Sequence, residues 1–444
     1  MFKVYTIGGY NEVGKNMTAI EYKEDIIVFD LGLFLPAVVD LQETTKQPNY
    51  HMLRNTGAFP DDFYIEKYKS KVRAILLSHA HLDHIGAVEH LAGNYPNAEI
   101  VGTPFTIEVL KTLLEDSKVK LRNKIVTINP DSNYTIRGKS GNYQVDFVNV
   151  THSTLQSSIV ALHLPEGIIA YANDFKLDNS PIMGKPPSYS KLRELSKKGV
   201  KILIVDSLYS GNERKTHSEK IARAMIEEVL LTIEHTNKAI VITTFSSHIA
   251  RLKSIVEFSN MLNRRPIFCG RSLAKYVNAS KRVKLCPFEK DIDLVSFQNQ
   301  LKSKLKSIDK NRKDYLVVCT GHQGEPGSIL DRIVSKKLPF QFKPQDSLVF
   351  SSKVIPTPIN ISNRTNIEKK LKSSDVRIFD DVHVSGHGGR EDLRDLINLL
   401  KPEHVIPSHG SLDQLTPAIE LTKEMGYQFG KTCHLCQNGG VLIV

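Results

Sequence analysis

The sequence contains no tryptophan and few cysteines, and it has no apolar run of membrane-spanning length. Five cysteines in 444 residues are an odd and sparse set, which is typical of a reducing compartment rather than of a disulfide framework. A membrane helix needs about 20 consecutive apolar residues, and the N-terminus has no signal-peptide pattern. These absences predict a soluble, cytoplasmic protein without a membrane partner.

One cysteine pair is closely spaced. Cys433 and Cys436 resemble half of a zinc knuckle, but a structural zinc site takes four ligands and no second pair accompanies this one. We interpret both as small buried residues beside a final strand at 441–444.

Negative charge is also in deficit. The 59 Lys and Arg residues exceed the 48 Asp and Glu residues, which gives a formal net charge of +11. Such a balance favours a polyanionic partner, because phosphate backbones bind cationic surfaces with release of counterions. A solvated basic surface without a partner is the alternative. The length predicts two or three domains.

Metal-ligand side chains are most concentrated at residues 78–84, which read S-H-A-H-L-D-H. His79, His81, Asp83 and His84 follow an apolar stretch of strand length at 74–77, and a helix is predicted at 86–93. Imidazole and carboxylate groups suit zinc or a neighbouring first-row metal. Four such residues within six positions predict a metal site rather than a polar loop.

Other predicted strands also end in a polar residue. His152 follows the alternating stretch 144–150, Asp174 follows a predicted hairpin over 158–171, and Asp206 follows the strand 199–205. Asp30 ends another apolar strand, where we expect it to orient a metal-bound histidine. His152 and Asp174 each follow a predicted strand, as the ligand-type residues at 79–84 do, and are therefore candidate metal ligands.

Three stretches carry less information. The glycine-rich residues 8–17 lack the Lys-Ser/Thr ending of a phosphate-binding loop and predict a turn between strands. Residues 36–62 are polar and weakly periodic, which predicts a surface excursion, and no functional motif is evident in them. The lysine-rich residues 302–313 predict an exposed helix that either contacts a polyanion or is simply solvated.

After Asp206 the chain changes to alternating helices and strands, which predicts a small parallel-sheet domain. A second dense set follows it, His383-Val384-Ser385-Gly386-His387, before a helix at 392–400. Glycine, hydroxyl and imidazole groups before a helix favour an anion, although a helix cap remains open for His383 and Ser385. His409 then follows a strand at 405–408.

Together these motifs resemble the β-CASP group of the metallo-β-lactamase superfamily, and within it the archaeal form of the ribonuclease J family. The bacterial Pro-Asp pair is absent after His152, and the sequence ends at Val444, where bacterial members carry a further domain. The resemblance therefore implies a homodimer rather than a bacterial-style tetramer. The motifs extend over the whole chain: G-G-x-x-E-x-G-K-N (8–16), S-H-A-H-L-D-H (78–84), T-H-S (151–153), N-D-F-K (173–176), T-G-H-Q-G-E-P (320–326), H-V-S-G-H (383–387) and I-P-S-H-G (406–410).

The resemblance implies an α/β fold, the metallo-β-lactamase αββα sandwich with an inserted β-CASP α/β domain. Residues 1–207 and 367–444 would form the metallo-β-lactamase domain, and residues 208–366 the inserted domain. It also implies two Zn²⁺ ions per chain, with Mn²⁺ or Mg²⁺ as alternatives. The first ion would be held by His79, His81 and His152, the second by Asp83, His84 and His409, and Asp174 would bridge them.

By the same resemblance the catalytic residues are Asp83, Asp174 and His387, with His387 protonating the leaving oxygen. His383, Ser385 and Gly386 would grip the scissile phosphate. The implied function is zinc-dependent hydrolysis of single-stranded RNA in decay and processing, mainly 5′-to-3′ on 5′-monophosphorylated ends. The candidates for the 5′-phosphate pocket, at helix starts after predicted strands, are Ser246, Ser247, His248 and Arg271.

Three alternatives remain open at this point. One is an endoribonuclease resembling 3′-end-processing factors. A small-molecule hydrolase of the same superfamily is disfavoured by the H-V-S-G-H motif and the basic charge. An RNA-binding scaffold without metal is disfavoured because all seven ligand positions are filled.

Overall fold

The computed structural model describes residues 2–44, 49–355 and 358–444, which form two compact units. The first unit comprises residues 1–179, 184–216 and 386–444, and the second comprises 180–183 and 217–385. The strands are β1 (Lys3–Gly8), β2 (Met17–Tyr22), β3 (Asp25–Phe29), β4 (Val72–Leu77), β5 (Glu99–Gly102), β6 (Ile125–Thr127), β7 (Ser132–Arg137), β8 (Asn142–Asn149), β9 (Ser158–Leu164), β10 (Gly167–Ala172), β11 (Val200–Asp206), β12 (Ile240–Thr243), β13 (Arg265–Cys269), β14 (Asp293–Val295), β15 (Tyr315–Cys319), β16 (Ser347–Phe350), β17 (Arg377–Phe379), β18 (His404–Ser408) and β19 (Gly440–Ile443).

The helices connect these strands and cover the sheets. Among the described residues none of them is long and apolar enough to span a membrane. They are α1 (Leu35–Thr44), α2 (Tyr50–Asn55), α3 (Phe63–Glu66), α4 (Leu82–Ile85), α5 (Val88–Leu91), α6 (Pro104–Ser117), α7 (Tyr189–Lys198), α8 (Glu219–Leu231), α9 (Ile249–Met261), α10 (Arg271–Arg282), α11 (Gln298–Lys310), α12 (Ile329–Val334), α13 (Pro358–Lys372), α14 (Arg390–Leu400) and α15 (Leu412–Glu424).

The first unit is built from two sheets that face each other. One has the strand order β19-β1-β2-β3-β4-β5-β6, and the other has the order β18-β11-β10-β9-β8-β7. Their apolar inner faces form a common core. In this core the ring of Phe29, from the first sheet, stacks on the ring of Tyr171, from the second, with 5.0 Å between the ring centroids. Helices α7, α14 and α15 pack on the outer face of the second sheet. This arrangement confirms the predicted αββα sandwich.

The second unit contains a parallel six-stranded sheet with the order β14-β13-β15-β12-β16-β17. Helices α11, α12 and α13 contribute apolar side chains to a core against this sheet, including Leu305, Leu330 and Leu371. The predicted alternation of helices and strands is confirmed. Its apolar strands are short and buried on both faces, as is usual for parallel sheets.

The structure departs from the sequence predictions in two segments. The weakly periodic excursion contains α1 and α2, and its residues 45–48 lie outside the described residues. The helix predicted at 86–93 is shorter in the structure, where α5 covers only residues 88–91 and follows α4 at 82–85. Between the two lies Gly86, where a Cβ atom would lie 2.5 Å from the carbonyl oxygen of Leu82 and 2.8 Å from the side chain of Leu33.

The compact units divide the chain after residues 216 and 385. Residues 207–216 stay with the first unit because their backbone bonds to the segment that follows residue 385, for example from Arg390 N to Asn212 O at 2.9 Å. The domain boundaries predicted after residues 207 and 366 stay predictions.

Of the two closely spaced cysteines, Cys433 is buried and Cys436 is half-buried.

Asp25, at the start of β3, is a buried carboxylate that joins both sheets of the first unit. It accepts hydrogen bonds from Arg73 Nε (2.6 Å), Tyr143 Oη (2.7 Å) and the backbone N–H groups of Lys139 and Ser140. Burial alone would raise the pKa of Asp25, but these donors hold the pKa below its usual value. Its ionised form therefore stabilises the fold.

We expect Asp25→Ala to lower the free energy of unfolding by about 3 kcal/mol at pH 7, because Arg73 loses its buried partner. A carboxyl with a lowered folded-state pKa contributes stability above the unfolded pKa of about 3.9, and that contribution disappears as the pH falls. The difference between wild type and variant, measured by urea unfolding, should therefore shrink from pH 7 to pH 3. Glu24→Ala, at an exposed neighbour, serves as the control, and an equal loss in both variants would contradict this role.

Candidate metal centre

The candidate metal ligands of the first unit lie where strands of its two sheets end. β4 leads to His79, β8 to His152, β10 to Asp174 and β18 to His409. Asp174 and His409 have φ angles of 58° and 64°, as does Asp30 after β3 at 56°. Non-glycine residues rarely adopt this left-handed conformation, which is concentrated at functional sites.

The first ligand group contains three histidines and one aspartate. His81 Nδ1 lies 3.2 Å from His79 Nε2 and 3.1 Å from His152 Nε2. Asp174 Oδ2 lies 3.4 Å from both His79 Nε2 and His152 Nε2. The four ligand atoms of this group all lie within 4.8 Å of one another. They face a common centre, as the ligands of one metal ion do.

The second ligand group shares Asp174 with the first. His84 Nε2 lies 3.2 Å from Asp174 Oδ1 and 3.6 Å from Asp83 Oδ2. His409 lies 3.5 Å from Asp174 Oδ1 through Nδ1 and 4.0 Å from Asp83 Oδ2 through Nε2. These ligand atoms also lie within 4.8 Å of one another. The two oxygens of Asp174 thus serve one group each.

Two residues outside the ligand set orient the histidines. Asp30 Oδ2 accepts a hydrogen bond from His84 Nδ1 at 2.7 Å, and both of its oxygens bind Ser78. Asn16 is fully buried, contacts His84 Nε2 at 3.0 Å and places its side-chain oxygen 3.1 Å from His409 Nδ1. Sequence reasoning predicted that Asp30 orients a metal-bound histidine. It assigned no role to Asn16, the last residue of the glycine-rich loop after β1.

Burial and local charge set the protonation of the cluster. Burial lowers the pKa of His79, and it holds the pKa values of His81 and His152 well below the usual range. Burial alone would raise the pKa of Asp174, but the neighbouring His409 and His84 hold it well below its ordinary value. The first group therefore presents neutral imidazole nitrogens and a carboxylate, which is the form that metal ions bind.

These residues fit a pair of divalent metal ions. Asp174 Oδ1 is buried and accepts no hydrogen bond from any described residue. An unsatisfied buried carboxylate oxygen is costly unless a cation compensates it. Each group offers imidazole nitrogens and carboxylate oxygens in the number that zinc takes in proteins. Geometry and donor chemistry thus agree with a metal centre.

His387 and Asp206 form a histidine–carboxylate pair beside the two ligand groups. His387 Nδ1 bonds to Asp206 Oδ2 at 2.7 Å, and His387 Nε2 lies 3.9 Å from Asp174 Oδ2. Burial would lower the pKa of His387, but the carboxylates of Asp206 and Asp174 raise it to about 9. His387 thus carries a proton at neutral pH. Asp206, which ends β11, thus places its carboxylate against His387.

The segment that carries His387 is held against the ligand-bearing loops. The Gly386 carbonyl accepts a hydrogen bond from His152 Nδ1 at 2.7 Å, which fixes the orientation of that imidazole. A Cβ atom at Gly386 would lie only 2.7 Å from Ser153 Oγ, so this close approach requires glycine. Thr216 Oγ1 donates to the His387 carbonyl at 2.7 Å, and the Thr216 N–H donates to Asp392 Oδ2 at 2.7 Å. Nothing in the sequence patterns pointed to Thr216.

The remaining predicted site residues belong to the second unit. His383 follows β17 and lies beside Phe245 and Arg251 Nη1, while Ser385 is the last residue of the unit. Ser246, Ser247 and His248 connect β12 to α9, and Arg271 begins α10 with an exposed side chain. Their binding roles stay predictions.

Comparisons with known proteins agree with this geometry. Residues 10–232 match the metallo-β-lactamase superfamily, residues 237–371 match the ribonuclease J β-CASP domain, and residues 375–435 match the Zn-dependent metallo-hydrolase RNA specificity domain. A crystal structure of a protein of unknown function from Enterococcus faecalis V583 has a TM-score of 0.63 with 18% identity over the whole of both chains, which supports the fold alone. The fold and the site therefore define a metallo-β-lactamase-type hydrolase with a β-CASP domain.

Two full-length relatives narrow this class. The chain is 43% identical to ribonuclease J of Pyrococcus abyssi, with all of this chain and 97% of the relative covered. It is 39% identical to ribonuclease J of Methanocaldococcus jannaschii, with 99% and 98% covered. Ribonuclease J 1 of Streptococcus pyogenes is 28% identical, and the match covers 74% of that relative. The chain belongs to the ribonuclease J family, and by class it is a metal-dependent ribonuclease.

Proposed function

We propose that this chain hydrolyses single-stranded RNA from the 5′ end at a centre that holds two zinc ions, and that it prefers 5′-monophosphorylated ends. The observation that carries the proposal is the pair of ligand groups that share Asp174, with His387 and its partner Asp206 beside them. The RNA specificity domain and the ribonuclease J relatives support RNA as the substrate.

In this proposal His79, His81 and His152 would hold one ion, Asp83, His84 and His409 would hold the other, and both groups would share Asp174. A pair of divalent ions held there would supply a water of lowered pKa and positive charge beside the attacked phosphate. Zinc fits a set rich in imidazole, whereas Mg²⁺ prefers oxygen ligands, and Mn²⁺ remains the closest competitor. Asp30 and Asn16 keep His84 and His409 in their ligating orientations.

In this proposal His387 would protonate the 3′ oxygen that leaves when a 5′-phosphate product forms. A general acid must carry its proton at the working pH, and the hydrogen-bonded carboxylate of Asp206 favours the protonated form of His387. Asp206 also fixes the ring, because Nδ1 is engaged and Nε2 is directed towards Asp174. His383, Ser385 and Gly386 would contact the scissile phosphate.

The second unit supports a 5′-phosphate pocket at the carboxyl end of its parallel sheet, where ligands of α/β folds bind. Three buried polar atoms on neighbouring strand ends have no hydrogen-bond partner among the described residues: Thr243 Oγ1 of β12, His322 Nδ1 after β15 and Ser352 Oγ after β16. Hydroxyl and imidazole groups are suitable donors to a phosphate. Ser246, Ser247, His248 and Arg271 follow β12 and β13 at the same sheet edge.

Cleavage of end-labelled RNA tests the proposal. Wild type should release labelled mononucleotides from 5′-labelled monophosphorylated RNA, and 3′-labelled RNA should show no discrete internal fragments. A circular RNA of the same sequence should stay intact, and a chelator should stop all cleavage. Discrete fragments from the circle would indicate an endoribonuclease instead. No metal-dependent cleavage of any RNA would overturn the function.

Thr216 offers a test of how His387 is positioned. We expect Thr216→Val to lower kcat on a short RNA about tenfold. Residues that hydrogen-bond to metal ligands or catalytic groups commonly contribute about 10–100-fold to metal affinity or activity. KM and metal content should stay unchanged, and Thr216→Ser, which keeps the hydroxyl donor, should restore kcat. Equal kcat values for the valine and serine variants would show that the hydroxyl does not position His387.

The homodimer predicted from the sequence resemblance stays a prediction. Light scattering of the full chain would measure its mass directly.

A further inference from the structure

Helix α11 of the second unit has two faces of opposite character. Leu301, Leu305 and Ile308 are buried in the core of the unit. Lys302, Lys306 and Lys310 recur every four residues on the opposite side, and all three are exposed. A four-residue step along a helix advances about 6 Å, so the three ammonium groups form one row along the helix.

No carboxylate of the described residues pairs with this row. Within the described part of the chain, Lys302, Lys306 and Lys310 make no ion pair, whereas the adjacent Lys304 is paired with Asp293 at 2.9 Å. Asp309, the single acidic residue of α11, pairs with Arg312. The charges beside the row are thus neutralised, and those of the row itself are not.

Like charges four residues apart destabilise a helix, and α11 contains two such pairs in succession. Two other helices of the same unit instead place a glutamate four residues from a lysine. Lys253 pairs with Glu257 in α9, and Glu368 pairs with Lys372 in α13. The row on α11 is therefore a local concentration of positive charge that a polyanion would relieve.

We propose that the row of Lys302, Lys306 and Lys310 binds the phosphate backbone of the RNA substrate, outside the nucleotides held for cleavage. Lysine binds phosphate as a point charge without reading bases, so this contact would be independent of sequence. It would raise the affinity for long RNA and leave short RNA unaffected. The choice of RNA as the polyanion rests on the proposed function.

The test compares the triple variant K302Q/K306Q/K310Q with K369Q/K370Q/K372Q, which removes the same charge from exposed lysines of α13. Binding of 5-nucleotide and 30-nucleotide RNA to the metal-loaded chain is measured by fluorescence anisotropy over a range of salt concentrations, with a hydrolysis-resistant phosphorothioate backbone so that the RNA stays intact. Loss of three phosphate contacts should make the slope of log K against log [salt] shallower by about 2 for the long RNA. The α13 variant and the short RNA should show wild-type slopes.

Cleavage rates separate this proposal from the function itself. With metal present, the α11 variant should cleave the 5-nucleotide RNA at the wild-type rate and show a raised KM for the 30-nucleotide RNA alone. A wild-type salt slope in the α11 variant, or an equal change in the α13 variant, would overturn the proposal and redirect the search to an acidic protein partner. If wild type did not cleave short RNA, the proposed function would be refuted instead. The salt dependence of RNA binding would still test whether the lysine row binds RNA.

Discussion

Replacement of Asp174 by asparagine should remove metal from both ligand groups and lower RNA cleavage on the order of 10³-fold or more. Asp174 is the single residue common to the two groups, and its oxygens lie 3.2–3.5 Å from imidazole nitrogens of four histidines. An amide keeps the size of the side chain but loses the charge that offsets two cations. Loss of about 4 kcal/mol of stabilisation from the metal centre corresponds to this factor.

Elemental analysis of the purified variant and single-turnover cleavage provide the two measurements. Asp146→Asn is the matched control, because Asp146 lies in the same sheet and pairs with His163 at 2.8 Å. Thermal unfolding in the presence of chelator distinguishes loss of metal from loss of fold. An asparagine variant that binds the full complement of metal and cleaves RNA at the wild-type rate would contradict the bridging role.

Replacement of His387 by glutamine should lower kcat by about 10²–10⁴-fold with metal content unchanged, because the variant has no acid to protonate the leaving oxygen. The decisive comparison uses a second substrate, a nucleotide 4-nitrophenyl ester, whose leaving group departs as a stable phenolate. The variant should cleave this ester at close to the wild-type rate. Asp206→Asn should show the same selective defect to a smaller extent, since Asp206 raises the pKa of His387 and fixes its ring.

His163→Gln, which alters a histidine–carboxylate pair elsewhere in the same sheet, controls for general effects of the substitution. If His387→Gln lost both reactions equally while retaining its metal, His387 would act in binding or in structure rather than as the acid. Metal loss in this variant would place it among the ligands.

Much of the centre was predictable because metal-binding chemistry leaves a local signature. His79, His81, Asp83 and His84 lie within six residues, shortly after the apolar residues 74–77 of β4. His152, Asp174 and His409 are far apart in sequence, but each follows a largely buried strand that ends at the same region of the first unit. A buried strand and the ligand after it are both visible in a linear sequence, and their convergence follows from the sandwich.

The residues that sequence reasoning missed act through contacts between distant parts of the chain. Asn16 contacts His409, 393 residues away in sequence, and Thr216 contacts the His387 carbonyl, 171 residues away. Asparagine and threonine are common in loops, so neither predicts such a contact by itself, although Asn16 is the last position of the motif at 8–16. The helices α1 and α2 were missed because the periodicity of residues 36–62 is weak.

Metal reconstitution tests the central claim most directly. The full chain is stripped with chelator and titrated with zinc, while bound metal and cleavage of monophosphorylated RNA are measured in the same samples. The account predicts two zinc ions per chain, with cleavage that appears as the second equivalent binds. Full cleavage by the metal-free chain, or saturation of activity at one ion per chain, would contradict a centre built from two groups that share Asp174.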